Sequence, residues 1–426
     1  MKSKHQWLFL EPYVHLLRQK GTLFLYNSVT KVALEFTQSS AVYKLAGQLE
    51  KPVNGCVIPI SANQLKDHEI LNFINKLRDT FMGDLLDPAW SKGKPVNIFP
   101  EVIVKHSLEK KKNVKAYLTP DLDPRNYIQE LTLFVITDSV KKLAPFSNAF
   151  LQFSFPACCT STQEVMKIKL ADSIMHEINN YTPTLIHISG SNIFSYPDLE
   201  ELINLMATSP FQKKYHLISK NWEAETVNRI LAQKNTNLAL YITFPTHPDI
   251  IASDLRTLRE SKLLKKIEFN FVISDDDELQ MSQEIIQILD LENIYFKPYF
   301  TGENLEFFRE NIFVSREEIL AAQPDQQQVL SRLSINETDY GKFSITPDGA
   351  VYANLNDPEL GNASKYSFIQ LIEREIDSGV SWGRARKKVT PCKDCIYHFL
   401  CPPISSYEIF MKRFNFCDVV PNPHQP

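Results

Sequence analysis

What this sequence lacks narrows its class before any motif is considered. It has no basic excess: 46 Lys and Arg face 50 Asp and Glu, a formal net charge of −4. A general nucleic-acid binder needs cations gathered on one face to neutralise phosphates, and the short run Lys110, Lys111 and Lys112 reads as a solvated loop. No uninterrupted run of about 18 apolar residues occurs, which argues against a membrane-spanning helix. The first 19 residues lack the basic start, long apolar stretch and small-residue cleavage site of a secretory signal. A soluble, cytoplasmic protein is expected. The ten histidines form no short ligand-spaced pair, so His187, inside an apolar run, reads as a packed residue.

What is present is ordinary globular material, 43% hydrophobic and 23% charged over 426 residues, enough for about three domains at roughly 150 residues each. Segments 13–19, 21–27 and 31–36 are apolar and aromatic runs separated by Lys20-Gly21 and Asn27-Ser28, which predicts a three-stranded meander. Ser39 or Ser40 is placed to cap a helix through Leu49. Ile70, Phe73, Ile74, Leu77, Phe81 and Leu85 recur at spacings of three and four, predicting a helix over about 70–86 whose stripe needs a sheet to cover it. Residues 1–95 thus read as a small α+β domain. Prolines at 95, 100, 120 and 124 mark an irregular linker over 96–130.

From residue 131 strand-like runs alternate with helix-like ones: 131–136, 184–189, 215–219, 238–244, 266–273 and 293–296. After the first, longer unit they recur every 23 to 31 residues, the length of a βα repeat. This predicts an α/β fold, a partial (β/α)6 barrel over 131–325, with near-continuous apolar strands covered on both faces. Ser274 is expected to cap the helix that follows it, with Asp275, Asp276, Asp277 and Glu278 complementing the dipole. A last unit, 326–426, opens on FSITPDGAVYANL, two strands around the turn Pro347-Asp348-Gly349.

Of seven cysteines, Cys56, Cys158 and Cys159 are scattered, whereas Cys392, Cys395, Cys401 and Cys417 fall within the last 35 positions. In a reducing cytosol such a cluster means metal more often than disulfides. Cys392 and Cys395 form a Cys-x2-Cys turn, and four thiolates suit either a zinc ion or a 4Fe-4S cluster. Spacing alone does not choose between them, nor between a pinning and a redox role.

These cysteines resemble the SPASM domain, the C-terminal extension of radical SAM enzymes that modify peptides. The resemblance makes Cys392, Cys395, Cys401 and Cys417 the ligands of the second auxiliary cluster of that domain. The first auxiliary site looks abolished: Asn354, four intervening residues after Gly349, and Ser405, three after Cys401, stand where cysteines would be. Upstream, LTLFVITDSVKKLAPFSN resembles the first barrel strand and the loop that binds the catalytic cluster, with Val140, Ala144 and Ser147 on its three cysteine positions. Gly190, Ser191, Asn192 and Ile193 match the Gly-Gly-Glu-Pro motif that meets the SAM amino group, without its carboxylate. Cys158 and Cys159 find no third cysteine nearby to replace the lost ligands.

The N-terminal unit resembles the peptide-recognition element of ribosomal peptide modification systems, which adds a leader peptide to the edge of its sheet. That resemblance gives the peptide-binding residues as Lys31, Val32, Ala33, Leu34, Glu35 and Phe36, with Lys76 and Arg78 as partners for acidic leader residues. Taken together, the resemblances imply a catalytically inactive accessory protein, not an enzyme, binding a ribosomally made precursor peptide and an active radical SAM maturase. They imply one 4Fe-4S cluster, or alternatively one zinc ion, and no SAM, nucleic acid or membrane. An electron-transfer subunit or a purely structural one are the alternatives.

Overall fold

The computed structural model describes residues 5–37, 40–91, 93–97, 127–139, 146–156, 159–160, 163–260 and 263–419. Most of the expected linker over 96–130, and Val140, Ala144 and Cys158 with it, lies outside these residues.

The N-terminal module holds two small sheets. Strands β2 (Val14–Gln19), β3 (Thr22–Asn27) and β4 (Ala33–Thr37) form the expected antiparallel meander. A second sheet, with β1 (His5–Leu10) between β5 (Val57–Ser61) and β6 (Gly83–Leu86), was not expected. Helices α1 (Ser40–Leu49) and α2 (His68–Asp79) share one core with both sheets, built from Leu8, Leu25, Ala46, Ile58, Phe73 and Leu77 among others. The Asp67 carboxylate caps α2, accepting from the Glu69 N–H at 2.9 Å. The helix stops short of the expected 86: Phe81 takes a φ of +55°, outside helical geometry, and is 69% exposed. Leu85 instead lies on β6, paired with Leu8.

The main sheet has the order β14-β13-β12-β11-β10-β7-β15-β16-β17. The six parallel strands of its α/β repeat are β7 (Glu130–Ile136), β10 (Leu185–Gly190), β11 (Gln212–Ile218), β12 (Thr236–Ile242), β13 (Ile267–Ile273) and β14 (Ile294–Pro298). Two short strands, β8 (Asp138–Ser139) and β9 (Cys159–Thr160), pair with each other after β7. Each parallel strand from β10 on is reached through a helix: Ile168–Ile178, Leu199–Thr208, Ala224–Ala232, Pro248–Glu260 and Asp276–Leu289. Asp275, not Ser274, caps the last of these, its carboxylate accepting from the Glu278 N–H at 2.8 Å. The Ser274 N–H and hydroxyl donate to the Glu278 carboxylate instead.

All five helices pack on one face of the sheet, where Ile174, Met206, Ile230, Leu255 and Ile285 join Leu133, Ile188, Leu217, Leu240 and Phe271 in a single core. The opposite face is covered differently from the expectation. It carries Ile218, Ala239, Tyr241 and Val272 under Phe153 and Phe155, a segment that follows β7. Strand β15 (Lys342–Ile345) runs parallel beside β7 and leads through the expected turn into β16 (Ala350–Tyr352), with β17 (Gly361–Asn362) at the edge. The hairpin therefore extends the main sheet. Gly349 in its turn has a φ of +88°, a conformation that favours glycine.

The two ends of the chain meet. Phe24, Tyr26 and Ala33, on the face of β3 and β4 turned away from α2, pack with Tyr397, Phe399 and Leu400. Tyr26 donates its hydroxyl proton to the Pro324 carbonyl at 2.7 Å.

Candidate functional site

Three places gather chemistry. The first is the outer edge of β4. The Asn27 N–H donates to the Val32 carbonyl at 2.9 Å, which makes that pair a hydrogen-bonded one. The register Tyr26↔Ala33, Leu25↔Leu34, Phe24↔Glu35 then alternates, so the backbone groups of Ala33 and Glu35 point away from β3. Among the described residues no strand pairs with that side. Leu34 and Phe36 pack toward the helices, Phe36 edge-on to Phe73 at 5.1 Å. Val32 is 37% exposed, and Lys31 lies in the hairpin turn at a φ of +64°.

On the other face Glu35 accepts from the Tyr397 hydroxyl and from Arg316, each at 2.7 Å. The Lys76 ammonium stands 5.1 Å from the Phe36 ring centroid. Arg78 is bound to the Asp84 carboxylate at 2.6 Å, which raises its pKa.

The second place is a cavity of about 20 Å³ lined by Cys392, Cys395, Cys401 and Cys417 together with Arg386 and His398. The structure thus brings together all four cysteines singled out by the sequence. Burial pushes the Cys392 thiol up to about 11 and raises Cys395 and Cys401 as well. The Cys392 thiol donates to the Phe414 carbonyl at 2.8 Å, while the Tyr397 N–H donates to Cys395 Sγ at 3.4 Å. Arg386 spans the wall, its guanidinium held by Glu408 at 2.9 and 3.1 Å and by the Phe414 carbonyl at 3.0 Å.

As placed, no group of three or more His, Cys, Asp or Glu side chains among the described residues is gathered for one metal ion. The donor set fits a thiolate-bound metal, four sulfurs on one buried cavity with a backbone N–H on one of them. Cys392 must turn from its carbonyl to take part. Any metal would displace thiol protons there.

The third place was missed. His187 does not merely pack: Glu130, His187, His216 and Tyr241 form a chain across four strands on the face opposite the helices. His187 Nε2 lies 3.4 Å from the Glu130 carboxylate, His187 Nδ1 2.8 Å from His216 Nε2, and His216 Nδ1 3.2 Å from the Tyr241 hydroxyl. Tyr241 donates onward to the Ser154 carbonyl. Which ring nitrogens donate along the chain depends on the histidine tautomers. Burial holds the His216 pKa well below its ordinary value, which favours its neutral ring. The His187 bond, with Lys342, holds the Glu130 carboxyl down to about 2. The signal in the sequence was one polar side chain in each of several otherwise apolar strands.

Of the remaining expected positions, Gly190 ends β10 in close approach to Ile136 and Asn192 caps the turn Ile193–Ser195. Ser147 lies in a turn before the short helix Ala149–Gln152. Asn354 is buried and donates to the Asp339 carboxylate at 2.9 Å. Ser405 caps the helix Ser406–Phe410.

No known family's sequence profile matches the chain, and no curated protein does. Solved structures do. The chain is similar to Streptococcus suis SuiB bound to precursor peptide SuiA at 12% identity, covering 97% of this chain and 100% of that one, with a TM-score of 0.48. For SuiB bound to S-adenosylmethionine the identity is 13%, the coverage 96% and 100%, and the TM-score 0.46. BtrN in complex with AdoMet and 2-DOIA matches at 13% over 63% of this chain and 93% of that one, TM-score 0.31.

One expectation is corrected by these neighbours. The chain was expected to be no enzyme, yet chains solved with S-adenosylmethionine are among those similar to it. Val140 and Ala144, on which the expectation leaned, lie outside the described residues.

Proposed function

We propose that this chain is a radical-SAM-like protein of ribosomal peptide modification that grips an extended precursor peptide along β4 and holds one thiolate-bound metal centre beside that strand. The observation that carries the reading is the edge itself. Ala33 and Glu35 offer outward backbone groups while both side-chain faces of the strand are anchored. A peptide would take affinity from those backbone groups, and Lys76 stands where it could meet an acidic leader residue.

In this reading the one-sided packing of helices on parallel strands supports a partial (β/α)6 barrel. The segment with Cys392, Cys395, Cys401 and Cys417 is a SPASM-like domain, with a 4Fe-4S cluster preferred to zinc on resemblance. Such a cluster supplies one-electron transfer when bound. The chain's own residues hold it, with the Tyr397 N–H and Arg386 balancing thiolate charge. A radical SAM maturase is the expected partner.

The test is titration with the precursor peptide encoded beside this protein, followed by hydrogen exchange. Protection should appear at β4 and be weakened in Ala33→Pro, which removes an outward N–H and no ladder bond. Protection confined to the main sheet would reject the edge. Anaerobically purified protein should carry about four iron and four sulfide, or one zinc. Cys395→Ala should lose that metal, and unchanged metal content would reject the ligand set.

A further inference from the structure

On the face of the main sheet opposite the five crossover helices, beside the buried histidines, lies a cavity of about 300 Å³. Its charged lining is almost entirely spoken for. Glu130 holds His187 and Lys342, each at 3.4 Å. Asp339 accepts from the Asn336 and Asn354 amides at 2.8 and 2.9 Å. Just beyond the lining, Lys214 and Glu268 are paired at 2.6 Å. Lys297 is the exception. This half-buried side chain on β14 makes no hydrogen bond or ion pair among the described residues, its ammonium resting 5.6 Å from the Tyr295 ring centroid. An ammonium drawn out of water without an acceptor is costly, and it is stabilised by whatever anion enters the space beside it.

We propose that this cavity binds a small apolar monocarboxylate, with Lys297 as the anchor for its carboxylate. The single uncommitted cation favours one negative charge over a phosphate dianion, which is more often met by several donors or by an arginine fork. Phe134, Phe150, Phe153 and Phe155 supply an aromatic wall for the apolar body. Burial lowers the Lys297 pKa, with Lys214 adding to this and Glu268 opposing it. The bound carboxylate restores the charged form. This site lies apart from the β4 edge and the cysteines, and the inference stands whether or not a peptide binds.

The experiment uses the full chain and phenylacetate as probe, with phenylacetamide and inorganic phosphate beside it. Phenylacetate should bind saturably, phenylacetamide should not, and phosphate should not displace it. In Lys297→Met, checked by its melting curve, affinity should fall about tenfold or more, the scale of one charge-assisted hydrogen bond. Independently of any variant, phenylacetate should slow acylation of Lys297 in the wild-type chain, read by mass spectrometry, and leave acylation of Lys66 unchanged. Absence of saturable binding, equal binding of the amide, tighter binding of phosphate, unaltered affinity in Lys297→Met or unprotected Lys297 would each overturn the assignment.

Discussion

Glu130 illustrates how one residue's partners set its chemistry. Its carboxyl is held down to about 2 from 4.5, chiefly by the bond from His187 and further by Lys342, against the cost of burial. A depressed folded-state pKa means a contribution that is fully present above about 4.5 and lost as the pH falls toward about 2. Glu130→Gln should therefore be less stable than wild type at pH 7 by about 1–2 kcal/mol, after allowing for solvent screening of a partly exposed group. The gap between the two melting curves should close between pH 4.5 and pH 2. A gap independent of pH would mean that the loss is one of packing. Glu130, His187, His216 and Tyr241 could not be found by spacing, because 29 and 25 residues separate the two histidines and then His216 from Tyr241. Only the parallel register brings them side by side.

At the scale of elements, the segment around the cysteines has little regular structure and is organised by Arg386 instead. It and Glu408 are both buried, and the guanidinium also reaches the carbonyls of Pro402, Pro403 and Phe414. Burial alone would lower its pKa, and Glu408 more than reverses this. Arg386→Met should cost about 3–5 kcal/mol, since it leaves a buried carboxylate without its counter-ion. Urea unfolding would measure this, and the double variant with Glu408→Met should recover part of the loss. The sequence made the regular elements legible where long apolar runs were bounded by turn residues: the expected strand at 184–189 is Leu185–Gly190, and that at 266–273 is Ile267–Ile273. It misled where a stripe ran past its helix, as at Phe81, because spacing does not report backbone dihedrals. It left β1, β5 and β6 unread because those short strands pair only across large sequence separations. The four cysteines were legible as a group, whereas the orientation of Cys392 toward a carbonyl was not.

Across the whole molecule, the N-terminal module and the cysteine segment share one packed face. Phe399 lies 6.0 Å from Phe24 and 6.2 Å from Tyr26 between ring centroids. Phe399→Ala should destabilise the protein by about 3–5 kcal/mol and raise hydrogen exchange in β3 as well as in the cysteine segment. A change confined to the latter would show that the two move independently. By the same logic a fragment ending near residue 95 should expose Phe24 and Tyr26 and self-associate, which sedimentation would detect. One strand sits at this junction. Leu34 and Phe36 of β4 pack toward one core, Ala33 toward the other, and Glu35 is held by Tyr397 and Arg316, so each of these side chains already has a partner within the chain. Were a peptide to pair there, as proposed, such a strand would act as a ruler and not as a lock, registering that a chain is extended and how it is aligned. Discrimination among peptides would then fall to the surrounding walls, which can be altered without disturbing the strand.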